Sequence, residues 1–280
     1  MFKYLRILCL FLLLIQEACS PEFKLARKYI RNHKGNTILI IPVYDLGKDN
    51  LSISYDTNIN YSPSEFDSIA WEQSCYVKHV SDSIFLSRFT TSLIKELTKT
   101  GFDVYVSDSS DDFNKLPDPK WLVNVAQLQL NEKHSISNFE VYDEKPEGYI
   151  YSDASLRLNM LSLHSWFEAS QTDSVKLQVL YREEGIMDNR TLGFDFLLNK
   201  GKEGLQKNRD SLEMEDVYRL ADESGRKHAE SLFDHFLNEY ISRSLPTGLT
   251  RKKYFYYDRI SHSLKPGVDE WFEVENEGKK

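Results

Sequence analysis

Three cysteines in 280 residues leave this chain almost without thiol chemistry. Cys9 and Cys19 fall within the first twenty positions, and Cys75 stands alone. A disulfide framework and a Cys-based zinc site are both excluded from the body. Basic charge is also in short supply: 35 Lys and Arg against 43 Asp and Glu give a net −8. Non-specific nucleic-acid binding needs a basic face, so that class is disfavoured and no nucleic-acid partner is expected. There is no Gly-rich phosphate loop and no GxSxG elbow. Long apolar runs are missing too. The run Ile7 to Ile15 is about half of the roughly 20 residues that a bilayer crossing requires.

That short run is informative in its setting. Lys3 and Arg6 precede it, and Ala18-Cys19 follows it. The arrangement resembles a bacterial lipoprotein signal, in which the cysteine sulfur receives a diacylglycerol and becomes residue one after cleavage. Gln16 and Glu17 depart from the usual aliphatic and small residues at those positions. The resemblance implies Cys19 as the lipidation site, residues 1–18 as a removed signal peptide, and tethering at the outer membrane. Loss of Lys3, Arg6 and Glu17 with the signal leaves the mature chain at −9.

Residues 20–35 read as a polar spacer and a short basic helix stopped by Gly35, so 19–35 is expected to be a lipid-anchored tether. TILIIPV (37–43) reads as a strand buried on both faces. Residues 44–80 lack periodic apolar positions, and a connection of that length is expected to be functional or poorly ordered. The segment 82–99 is the best helix of the first half, with Asp82 as its cap and Gly101 as its stop. FDVYV follows as a strand parallel to TILIIPV.

Beyond SDSSDDFNKLPDP the pattern turns to strands, at 121–131, 154–167, 176–182 and 191–198, forming an antiparallel meander. In WLVNVAQLQLN the apolar phase shifts from Trp121, Val123 and Val125 to Ala126, Leu128 and Leu130, which predicts a bulge. A long helix spans 212–242, where Ala221, Gly225 and Ala229 would allow close approach to the sheet, and Pro246 and Gly248 end it. The fold class is therefore mixed α/β: a two-layer sandwich of a mixed, mostly antiparallel sheet with two main helices on one face. The expected division is one domain over 36–245 and a tail over 246–280.

Candidate chemistry is sparse. His228 and His235 share a helix face but lack the three- or four-residue spacing of helical metal ligands, so they read as rim histidines and no metal or cofactor is expected. Cys75 and His79 form the least poor nucleophile–base pair, within an irregular segment. Asp108, Asp111 and Asp112 read as a solvated loop. The run RKKYFYY (251–257) suits either an anionic headgroup or a terminal strand with alternate rings in the core. Asp-Ser-aliphatic tripeptides at Ser68, Ser83, Ser174 and Ser211 resemble the periplasmic O-glycosylation acceptor of Bacteroidota, although Asp and Ser also serve as helix caps.

The signal, ILIIPV, SLIKELTKTGFDVYV, WLVNVAQLQL and LRLNMLSLHSWFE together resemble uncharacterised Bacteroidota cell-envelope lipoproteins. In topology they are similar to the small α/β domains of envelope accessory lipoproteins. That resemblance implies a non-enzymatic lipoprotein binding a protein partner through residues 44–80 or 251–272. The alternatives are a carrier or sensor of an apolar envelope ligand, and a Cys/His enzyme.

Overall fold

A computed structural model describes residues 20–52, 62–107, 110–117, 119–145, 148–172, 177–190, 209–267 and 273–275. Cys19, Asp108, Ser174 and the expected strand at 191–198 lie outside these residues. The protein is mixed α/β, with helices packed against a mixed sheet.

The parallel part of the sheet is β1 (Thr37–Ile41), β2 (Leu46–Asn50) and β3 (Asp103–Val106). The antiparallel part is β4 (Trp121–Lys145), β5 (Gly148–Gln171) and β6 (Leu177–Met187). Two-residue strands β7 (Asn189–Arg190) and β8 (Arg209–Asp210) pair with each other, as do β9 (Tyr254–Asp258) and β10 (Ser263–Gly267). β11 (Glu273–Glu275) closes one edge, giving the order β11-β6-β5-β4-β1-β3. β1 is parallel to β3, as the crossover reading predicts, and the structure also pairs it parallel to β4.

β2 is an unexpected strand. It pairs parallel to β4 on the edge that β1 also uses, with Ile41 opposite Asn124 and Leu46 opposite Leu128. Pro42, which has no N–H for the ladder, falls at the interruption. The predicted bulge in β4 is present, with a register shift between Val125 and Gln127. Ala126 and Gln127 turn to solvent there, so that Val125 and Leu128 both face the core.

Among the described residues the α-helices are α1 (Pro21–Asn32), α2 (Pro63–Gln73), α3 (Asp82–Thr100), the short α4 (Ser110–Asn114) and α5 (Met214–Ser244). α1, α3 and α5 share one layer. Phe89 of α3 meets Phe167 of β5, Trp121 of β4 stacks on Phe236 of α5 at 4.2 Å, and Tyr29 of α1 meets Phe233 of α5 at 5.8 Å. The opposite sheet face carries partly or fully exposed Asn124, Gln127 and Gln129. Two layers follow because the second face is largely polar, and only the short α4 covers it, over β1 and β3, where Leu39 and Phe113 are buried.

Several local expectations change. The expected tether is a packed helix: Ala26 and Tyr29 join the hydrophobic core, and Ser20 caps α1 through Phe23 N at 3.1 Å. Gly101 ends α3 in the left-handed conformation at φ 103°, as expected, but the N-cap is Ser81, and Asp82 instead pairs with Lys48. The small-residue stripe of α5 approaches α3 rather than the sheet. A Cβ at Gly225 would overlap the carbonyl oxygen of Phe89. In RKKYFYY, β9 pairs with β10 rather than with the main sheet, and only Phe255 is fully inside.

Candidate functional site

The expected irregular excursion is, in its described parts, a built surface. Its support begins at Glu132, which follows Leu128 and Leu130 on the core face of β4 and is fully buried. Its Oε1 accepts the Cys75 N–H at 2.8 Å, and its Oε2 accepts the Ser74 hydroxyl and the N–H groups of Tyr76 and Val77 at 2.8–3.2 Å. Four donors converge on one carboxylate and offset its loss of water. The segment 74–77 is thereby clamped to the sheet and enters a 3₁₀ turn, Val77–His79.

α2 stands immediately before this clamp. Ser62 and Glu65 form a capping box, with the Ser62 N–H donating to Glu65 at 2.8 Å, and the hydroxyl contacts of Ser62 hold the Glu65 carboxyl below its usual range. Pro63 opens the helix, where its missing N–H costs nothing. A side-chain bond from Asn50 to the Ala70 carbonyl, 2.9 Å, ties the helix to β2. Yet none of its eleven residues is buried. Trp71 is 44% exposed, with the Lys48 ammonium 5.8 Å from its ring centre, and Leu51 and Tyr44 on the same excursion are 58% and 74% exposed. Glu65, Asp67 and Glu72 give α2 three acids and no base.

The nucleophile candidates are not brought together. Cys75 and His79 are both exposed, and among the described residues no hydrogen bond joins the thiol to the imidazole. Two tetrapeptides have SxxK spacing and both are stretches of helix: Ser92 to Lys95 in α3, where Ser92 donates to Asp222 at 3.3 Å and Lys95 is exposed, and Ser224 to Lys227 in α5, where Lys227 pairs with Glu184 at 2.6 Å. His228 and His235 lie inside the core rather than on its rim. His228 Nδ1 meets the Ser224 carbonyl at 2.6 Å, and His235 Nε2 meets Gln178 at 2.9 Å. Burial pushes His228 down to about 4, assisted by Arg182 and Lys227 and opposed by the Ser224 carbonyl and Glu184. Among the described residues no group of three or more His, Cys, Asp or Glu could hold a metal ion. Asp111 and Asp112 are exposed in α4.

Of the serine acceptors, Ser68, Ser83 and Ser211 are exposed. Ser68 donates to the Ser64 carbonyl at 2.9 Å, and Ser83 lies 3.1 Å from the Ser81 hydroxyl. A cleft of about 190 Å³ between α1, α5 and the start of β4 is lined by Tyr29, Asn36, Trp121, Gln171 and Arg243, among others.

No protein-family model matches the chain, and no curated protein matches it.

Sequence reading missed Glu132 and α2. The first had a signal, since a glutamate in phase with Leu128 and Leu130 is a carboxylate on the core face. The second had the pattern Ser62-Pro63 followed by Glu65, a helix start in a stretch without helical apolar spacing.

Proposed function

We propose that this chain is a non-enzymatic, lipid-anchored envelope protein that captures a protein partner through the surface made by α2 and β2. The observation that carries the reading is α2 itself, a capped helix with no buried residue held in a fixed position. A helix draws most of its stability from burying one face. One that stays exposed while its neighbours are clamped has apolar surface free for a partner. Trp71 supplies an aromatic anchor of the kind that dominates interfaces. Glu65, Asp67 and Glu72 fit a partner whose pocket has a basic rim.

The anchor in this reading is Cys19, with α1 starting two residues beyond it. Among the described residues the cleft of about 190 Å³ is well below the roughly 300–1,000 Å³ usual for ligand pockets, so this cleft does not itself favour the carrier alternative. The enzyme alternative has no hydrogen-bonded Cys75–His79 pair behind it.

The test is a photo-crosslinking amino acid placed at Trp71 and, separately, at Ile260, which is 96% exposed on the β9–β10 turn. In the native host the Trp71 position is expected to yield one discrete envelope adduct and the Ile260 position none. Equal yields, or none from Trp71, defeat the proposal.

A further inference from the structure

Positive charge is confined to one side of α1. Lys24, Arg27, Lys28 and Arg31 follow the i, i+3, i+4, i+7 spacing of a single helix face, and all four are exposed. The other side, Glu22, Ala26, Tyr29 and the capping His33, is buried. Among the described residues none of the four cations has a carboxylate partner. Arg27 lies over the Phe23 ring at 4.6 Å.

A second basic segment is folded against the same helix from more than two hundred residues away. The N–H of Lys252 donates to the buried Glu22 carboxylate, and the Phe23 and Phe255 rings are 6.0 Å apart. Lys252 and Lys253 are exposed beside this contact, and Arg251 sits 5.4 Å from the Tyr254 ring. Glu22, the only acid in α1, is therefore used internally. α1 and the segment packed against it together carry seven cations, a basic flank on a chain whose net charge is −8.

We infer that this flank lies against an anionic bilayer surface. Phospholipid headgroups complement a dense cationic stripe, and each Lys or Arg held near them adds attraction that salt weakens. Under the anchored reading the stripe also stands where the body meets the membrane. Ser20 is already the cap of a packed helix, so no flexible spacer separates Cys19 from α1. The inference extends that reading by giving the body a fixed face toward the lipid. α2 is then presented by an oriented body rather than by one swinging on a tether.

The test uses the full chain with Cys19→Ala, so that no acyl chain contributes. Its partition is measured on phosphatidylcholine vesicles with and without phosphatidylglycerol. The expected preference for anionic vesicles is at least about tenfold and fades as salt rises. Combining Lys24→Glu with Lys28→Glu is expected to bring it below about twofold. The apolar segment before Cys19 has the same sequence in both proteins and cancels in that comparison. A preference that survives the charge reversal, or no preference at all, overturns the inference. Both sites are exposed, and an unchanged thermal melt confirms folding. If that pair unfolds the protein, Lys252→Glu with Lys253→Glu gives the same reading. Palmitate labelling of the native chain reports on Cys19 alone, so failure of the anchor and failure of this face are told apart.

Discussion

Glu132 and His228 are buried ionisable groups with opposite solutions to burial. Glu132 is surrounded by donors, and its carboxylate is what they require. Glu132→Gln replaces one acceptor oxygen with an NH₂ that faces N–H groups. The expected loss is about 3 kcal/mol of stability, read from the urea midpoint. His228 is packed against Phe89 and Phe167, with ring centres at 5.5 and 5.0 Å, and stays neutral. Its folded pKa of about 4 lies below the ordinary value of 6.5, so the unfolded chain binds the proton more tightly. Its contribution is complete above pH 6.5 and is lost as pH falls toward 4, amounting to about 3 kcal/mol. Burial shifts His164 in the same direction, adding to the slope. His228→Phe is expected to flatten most of this decline in urea melts across that range.

At the level of elements, the contact between α3 and α5 rests on a missing side chain. Gly225 brings α5 onto the backbone of α3 at Phe89 and Leu93. Alanine there gains about 1 kcal/mol of helix propensity. The overlap with the Phe89 carbonyl forces the helices apart and costs more, typically 1–3 kcal/mol and occasionally above that range. Gly225→Ala is therefore expected to lower the melting temperature by about 3–5 °C, whereas a helix limited by propensity would be stabilised. α2 is the converse case. With no buried residue, it is expected to tolerate Trp71→Ala within about 0.5 kcal/mol, while loss of crosslinking at that surface would report function alone. A large fall in thermal stability in Trp71→Ala would mean that the ring supports the fold.

For the whole molecule, the hydrophobic cluster runs from Ala26 to Phe255 and draws on α1, the sheet, α3, α5 and β9. Segments expected as tether and tail thus contribute to the same core. Deleting 21–35 is therefore expected to destabilise the protein while leaving the Cys19 anchor in place, since Tyr29 and Ala26 would leave the surface of α5. Cys19→Ala should instead abolish palmitate incorporation and membrane retention with the melt unchanged. Incorporation that persists in Cys19→Ala, or a wild-type chain that takes up no label, removes the anchor.

The local pattern in the sequence determined a good deal by itself. Ile38, Leu39 and Ile40 all being apolar required a strand covered on both faces, and they are buried. The phase change between Val125 and Leu128 required a bulge, because alternation cannot otherwise keep both inside. Gly101 marked a helix end that needed positive φ. These are consequences of near-neighbour geometry. The tertiary structure alone decided what each element meets: that Gly225 faces a helix rather than the sheet, that Glu132 gathers the amides of residues 75–77, and that Lys252 lies beside Glu22. Such contacts join positions from about 55 to more than two hundred apart in the chain. No residue spacing encodes them, because they depend on the shape of the assembled core rather than on the period of any one element.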